Sequence, residues 1–297
     1  MKIHSIEAVG LKYHVPADRG YGSASGIHAR RQVTLIRLRT DDGVEGVGEA
    51  RAPLSLVRGN LELLRPAFVG SDILDRDITF TRLLNRAYHL GLQGPLIVAY
   101  SGLNIAMLDA LGKGLGLPVC KLIGGMARRE VTGYATGGYL RHNAERDFES
   151  QLEAIRVMGT VAARIKLGLG PASGAARVAV ARKHLGEEVM LEVDANSNYT
   201  VDHALQSMRA IEPHRIAWFE EPLKPHDYAG YAALRARAPI AISAGAAHHR
   251  SMSSVQQADG AVGLDKRSGS RRGGAVRRFD RAEPALRVRA GAVAGGV

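Results

Sequence analysis

The chain has 297 residues, 45% of them hydrophobic, a net charge of +11 and one cysteine. That length and apolar content support one large or two smaller packed domains and exclude a disordered chain; a lone cysteine excludes an internal disulfide framework. Six of the net positive charges fall in residues 246–297, so the body is only mildly basic and is not expected to bind nucleic acid.

The opening Met1-Lys2-Ile3-His4-Ser5 has no basic segment leading into an apolar run, so no signal peptide is expected and a cytoplasmic location is. Residues 1–50 read as β-rich. Ile6 and Ala8 alternate with Ser5 and Glu7, Val33 to Arg39 is a strand, and Asp41-Asp42-Gly43 turns it into Val44 to Glu49 as a hairpin. Between the first strands, the glycine- and serine-rich stretch from Asp18 to Gly26 is expected to be a mobile loop. No helix start follows it, so it is not read as a phosphate cradle. Leu61, Leu63, Leu64 and Phe68 mark one helix, Phe80, Leu83, Leu84 and Ala87 a second, and Ile97 to Gly114 a third. Tyr100, Ser101, Asn104 and Asp109 interrupt the apolar run of that third helix, which makes it a buried helix rather than a membrane span. It stops at Gly114-Leu115-Gly116-Leu117-Pro118. Just beyond, Cys120 reads as a small buried apolar residue, in keeping with a reducing compartment.

After Gly125 short apolar runs alternate with helical segments. The expected strands are Val131–Ala135, Ala162–Leu167, Val189–Val193, Ile216–Phe219 and Ile240–Ser243. Five such units in series predict a parallel sheet, with a (β/α) barrel as the first reading and a doubly wound open sheet as the second. In a barrel, functional side chains sit at the carboxyl ends of strands. Arg164 and Lys166 share one face of their strand by alternation, and Asp194 and Glu220 end the next two. The two carboxylates are hard oxygen ligands suited to Mg²⁺. Each residue alone has an ordinary reading, as a helix cap or a solvated charge; the set on successive strand ends points to a metal site with a base beside it.

These runs resemble the mandelate racemase/muconate lactonizing branch of the enolase superfamily. Leu191-Glu192-Val193-Asp194-Ala195-Asn196 and Trp218-Phe219-Glu220-Glu221-Pro222 are similar to its third and fourth barrel strands. Arg164-Ile165-Lys166 stands where the family carries Lys-x-Lys, and Ser101 to Lys113 with Leu122-Ile123-Gly124-Gly125 resembles its capping helix and the exit into the barrel. The resemblance covers roughly the first 245 residues. It implies an α+β capping domain over residues 1–125 and an incomplete TIM-type barrel of about five βα units over 126–245. It also implies Mg²⁺ held by Asp194 and Glu220, with Glu221 behind them, Asn196 lining the site and Lys166 as general base. Arg164 would replace a lysine, keeping the charge that polarises a substrate carboxylate without serving as a base. Tyr21 and His28, in and just after the glycine-rich loop, are candidate substrate contacts. The implied reaction removes the proton α to a carboxylate through an enediolate. Dehydration or cycloisomerisation of a sugar acid or its lactone comes first, a racemase or epimerase of a 2-hydroxy acid second, and an inactive remnant or binding protein third. A homo-oligomer would be in keeping with the family, and no membrane partner is expected.

The pattern then breaks. Ala246 stands where the third metal carboxylate is expected, and Val255-Gln256-Gln257-Ala258-Asp259, which resembles the family's next strand, arrives early. From Ser251 on there is no isoleucine and the only leucines are Leu264 and Leu286. Residues 246–297, rich in alanine, glycine and arginine, are therefore read as disordered or out of frame, and the chain is expected to be poorly stable and weakly active. A genuine arginine/glycine tail is the competing reading.

Overall fold

Alternation of apolar and polar residues builds the first strands. These are β1 (Ile3–His14), β2 (Tyr21–Ser23), β3 (Gly26–His28), β4 (Arg30–Thr40) and β5 (Glu45–Ala50). The computed structural model describes residues 1–16, 21–90, 94–126, 128–140, 144–245 and 287–289. They divide into two units, and the short β2–β3 hairpin belongs to the second.

In the first unit β1, β4 and β5 form an antiparallel sheet in the order β1-β4-β5. Ile6, Ala8, Ile36 and Leu38 point to one face and are buried. Gly43, at φ 78°, makes the turn between β4 and β5. Three helices follow: α1 (Leu54–Phe68), α2 (Arg76–Arg86) and α3 (Pro95–Leu115), then the short α4 (Val119–Leu122). α1 buries Val57, Leu61, Leu64 and Phe68, and α2 buries Phe80 and Leu84. Leu63, expected on the inner face of its helix, is exposed. α3 is long and apolar enough to cross a membrane by length and composition. Ala99, Leu103, Ala106, Met107 and Ala110 are nonetheless fully buried in the unit's core, as a core helix requires. α3 lies so close to β5 that a Cβ at Gly46 or Gly48 would come within 2.0 Å of the backbone oxygens of Ala106 or Gly102. The glycines of Glu45-Gly46-Val47-Gly48 are thus a packing requirement.

The second unit continues with β6 (Glu130–Thr132), β7 (Ala135–Gly137), α5 (Ala144–Val157), β8 (Ala162–Lys166), α6 (Pro171–Leu185), β9 (Met190–Asp194), α7 (Val201–Ile211), β10 (Ile216–Glu220), α8 (Tyr228–Arg235) and β11 (Ile242–Ser243). Strands β7 to β11 form one parallel sheet in sequential order, β11-β10-β9-β8-β7. Ala163, Ile165, Leu191, Val193 and Phe219 pack with residues of α5 to α8 in one core. Arg164, Lys166, Glu192, Asp194 and Glu220 alternate with them. A doubly wound sheet would reverse its strand order and carry helices on both faces. A run of βα units in sequential order is the wall of a TIM-type barrel, and the fold is an N-terminal α+β domain followed by such an incomplete barrel.

Two strand expectations need correction. The segment Val131–Ala135 is not the first barrel strand: Glu130–Thr132 pairs antiparallel with β12 (Arg287–Arg289), and the parallel strand is Ala135–Gly137. Thr132 ends one strand, Gly133 and Tyr134 separate them and Ala135 starts the next, a break that apolar content alone does not reveal. The glycine-rich stretch also carries a short hairpin rather than only a loop, Tyr21–Ser23 pairing with Gly26–His28; residues 17–20 lie outside the described residues. Apart from Arg287–Arg289, so does the segment 246–297, with Ala246.

Candidate active site

The polar set lies at the carboxyl ends of β8, β9 and β10, where the barrel architecture places reacting groups. Parallel register puts Arg164 beside Glu192, Lys166 beside Asp194, and Asp194 beside Glu220. Lys166 and Asp194 are both buried, and the Lys166 Nζ donates to Asp194 Oδ2 at 2.6 Å. Arg164 Nη1 donates to both carboxylate oxygens of Glu220 and lies 4.0 Å from Asp194 Oδ2. Burial by itself would lower the Arg164 guanidinium, but its hydrogen bond and charge pairing with Glu220 outweigh that and leave it raised. Its carbon sits 5.2 Å over the Tyr134 ring, and Nη2 reaches Thr136.

The loops behind these strand ends are strained in a way that serves the carboxylates. Asn196, Ser197 and Glu221 all take positive φ, which costs a non-glycine residue about 1 kcal/mol or more. That turn brings the Asn196 backbone N–H to Asp194 Oδ1 at 2.8 Å and its side-chain amide to Oδ2 at 3.1 Å. Glu221 holds the loops together through its backbone, donating to Ser243 O and accepting from Ser197. The β2–β3 hairpin lies over the ends of β7 and β8. Leu140 donates to Gly22 O, Tyr21 packs edge-on to Tyr139, and a Cβ at Gly168 would strike the Ala24 methyl at 2.5 Å. Tyr21 is half-buried and lies 5.3 Å from the exposed His28 ring. The structure therefore gathers Arg164, Lys166, Asp194, Asn196 and Glu220 at one place and sets Tyr21 and His28 on the adjacent hairpin.

Glu192, one layer below, has no role in the sequence reading. It is fully buried, and among the described residues neither carboxylate oxygen has a hydrogen-bond partner, nor do Arg164 Nε and Trp218 Nε1. Burial pushes its carboxyl up to about 8 against the pull of Arg164, and Glu220 adds to the rise. The 192/194 spacing repeats the 164/166 alternation that singled out the basic pair, and that was the signal available. Arg177 is a second unforeseen residue. It stacks on Phe148 and donates to the backbone oxygens of Lys166 and Gly138, tying two strand ends together.

Residues 8–124 match the mandelate racemase/muconate lactonizing enzyme N-terminal domain, and residues 147–264 match the enolase C-terminal domain-like family. The chain belongs to the mandelate racemase branch of the enolase superfamily. The match runs past residue 245, where the sequence reading ends the resemblance. The D-galactarolactone cycloisomerase of Agrobacterium fabrum is 32% identical over 251 residues, 84% of this chain and 66% of the relative. The L-talarate/galactarate dehydratase of Salmonella typhimurium is 30% identical over 217 residues, 72% of this chain and 54% of the relative. A racemase from Streptomyces coelicolor, solved with bound magnesium, superposes with a TM-score of 0.74 at 26% identity, covering 82% of this chain and 69% of that one. The chain spans about half to two thirds of the length of these curated relatives. The relatives named here are enzymes, and both curated ones act on sugar-acid compounds.

The donor chemistry of the site fits a magnesium ion. Asp194 and Glu220 are neighbouring hard carboxylates, both within 4.0 Å of one Arg164 nitrogen. Mg²⁺ commonly takes only one or two protein carboxylates and fills its remaining positions with water and substrate oxygens. Among the described residues no group of three His, Cys, Asp or Glu is arranged to hold a metal. Two carboxylates are thus the set in hand, and each is already paired with a cation of the chain.

Proposed function

We propose that the chain abstracts the proton α to a carboxylate, with a sugar acid or its lactone as substrate and dehydration or cycloisomerisation as outcome. The observation that carries this is the Lys166 amine, buried and facing the carboxylates Asp194 and Glu220 on neighbouring strand ends. Asp194 and Glu220 would hold Mg²⁺, which as a Lewis acid on the substrate carboxylate favours the enediolate. In its neutral form Lys166 takes the α proton, and its hydrogen bond to Asp194 fixes where the amine points. Arg164 presents a permanent positive charge to the substrate carboxylate, which an arginine at this position does without competing as a base. Asn196 holds Asp194 by two hydrogen bonds. Tyr21 and His28, on the hairpin over the strand ends, would touch the distal part of the substrate. The sugar-acid class rests on the two curated relatives, one a cycloisomerase and one a dehydratase.

A racemase is the nearest alternative within the same chemistry. A remnant that binds an acid without turning it over is favoured by one feature, Ala246, which stands where the family pattern expects a further carboxylate.

The test is α-proton exchange into deuterated water across a panel of aldonic, aldaric and 2-hydroxy acids, with and without Mg²⁺, followed by proton NMR. Mg²⁺-dependent exchange that disappears in Lys166→Ala supports the reading. Binding of an acid with no exchange at any Mg²⁺ concentration supports the remnant.

A further inference from the structure

Arg164 sits against both carboxylates that would hold a divalent cation. Its Nη1 bridges the two oxygens of Glu220 and approaches Asp194, so a cation bound by both carboxylates displaces the guanidinium. A half-buried guanidinium pulled from its anion leaves a partly desolvated charge uncompensated. Asp194 cannot take it, being held by Lys166 and Asn196 and itself a ligand in the proposed site. Glu192 can. It is the register partner of Arg164 on the adjacent strand, is fully buried, and offers two carboxylate oxygens without partners among the described residues. Arg164 Nε is equally buried and unpartnered. Two buried acceptors and a buried donor without partners among the described residues, on register-paired positions, are unusual in a folded interior, and a shift of the guanidinium would pair them.

We infer that Glu192 is the alternative seat of Arg164: with a divalent cation on Asp194 and Glu220, the guanidinium moves from Glu220 to Glu192. Glu192 is then a positioning residue that lets the metal site form and keeps the arginine charge beside it. This rests on the metal-binding part of the proposed function.

The experiment is calorimetric titration of the full chain with MgCl₂ at pH 8.5, where Glu192 is ionised, in four forms: parent, Glu192→Gln, Arg164→Gln and the double variant. The expected result is about tenfold weaker Mg²⁺ binding in Glu192→Gln, the order of one lost charge-assisted hydrogen bond. In the Arg164→Gln background the same change should shift affinity by less than about twofold, since no guanidinium remains to be seated. Equal affinity of parent and Glu192→Gln overturns the inference and leaves the metal site standing. Equal weakening in both backgrounds also overturns it, because that is the loss of a negative charge acting through space. If the parent itself binds no Mg²⁺, the proposed function and this inference fall together. Should Glu192→Gln not fold, crystals of the parent grown with and without Mg²⁺ decide the matter. Arg164 on Glu192 in the metal form supports the exchange, and Arg164 still on Glu220 refutes it.

Discussion

Replacing Glu192 by glutamine should make stability less dependent on pH, and the structure sets the size of the effect. In the fold the Glu192 carboxyl is pushed from its ordinary 4.5 up to about 8 by burial. In the unfolded chain it titrates near its ordinary value. Between those two pH values the folded protein holds a proton that the unfolded chain has released, so stability falls as pH rises through the window. Below pH 4.5 both states are protonated, and above about 8 both are ionised, so the slope vanishes outside it. At 1.36 kcal/mol per tenfold change in proton affinity, the whole window is worth at most about 4–5 kcal/mol. Water entering the space between Glu192, Arg164 and Trp218 would reduce that figure. Glutamine has nearly the shape of the protonated acid and cannot ionise. Glu192→Gln should therefore match the parent near pH 5 and exceed it by a few kcal/mol at pH 8.5. Urea unfolding in the presence of a chelator measures this, followed by the fluorescence of Trp218, the chain's single tryptophan, which sits on β10 beside the affected layer. Stability profiles of parent and variant that run parallel from pH 5 to 8.5 would refute the argument, since Glu192 would then titrate alike in both states.

Lys166→Ala should lower any α-proton exchange by about 10²–10⁴-fold, the usual contribution of a positioned base, while leaving Mg²⁺ affinity within a few fold; deuterium incorporation and calorimetry read the two separately. Asp194→Asn and Glu220→Gln should each weaken Mg²⁺ binding at least tenfold, because two carboxylates are the described ligand set; an unchanged affinity for both would move the metal elsewhere. Gly48→Ala should destabilise the first unit by about 2–3 kcal/mol, because its methyl meets the Gly102 carbonyl and forces β5 away from α3; thermal denaturation by circular dichroism would show it, and a stability equal to the parent's would mean the strand and helix separate freely.

The elements that repeat a period were legible from residue types alone. The β4–β5 hairpin at Asp41-Asp42-Gly43, the three helices of the first unit and strands β8, β9 and β10 each display their own apolar spacing, and side-chain alternation placed Arg164 with Lys166 on one face. What lacks a period was not legible. The three residues of β7 are too few to alternate, and β6 beside them is extended as well, so the first barrel strand was placed a few residues early. The β2–β3 hairpin is built of glycine and serine and signals a turn more strongly than a strand; its order comes from Tyr139, Leu140 and Gly168, which are distant in sequence.

The same division holds at the site. Which residues can do chemistry, and on which strand ends they stand, is written locally, because strand alternation and the carboxyl-end rule of barrels are local properties. How their charges pair emerges only from the folded arrangement: Lys166 with Asp194, Arg164 with Glu220, and Glu192 without a partner among the described residues. Burial and pairing depend on which strands become neighbours and in what register, and residues more than twenty-five positions apart carry no local signal of that. Glu192 shows the difference most plainly. In the sequence it is one carboxylate among many, and only its enclosure between β8 and β10 turns it into a group whose charge the fold resists.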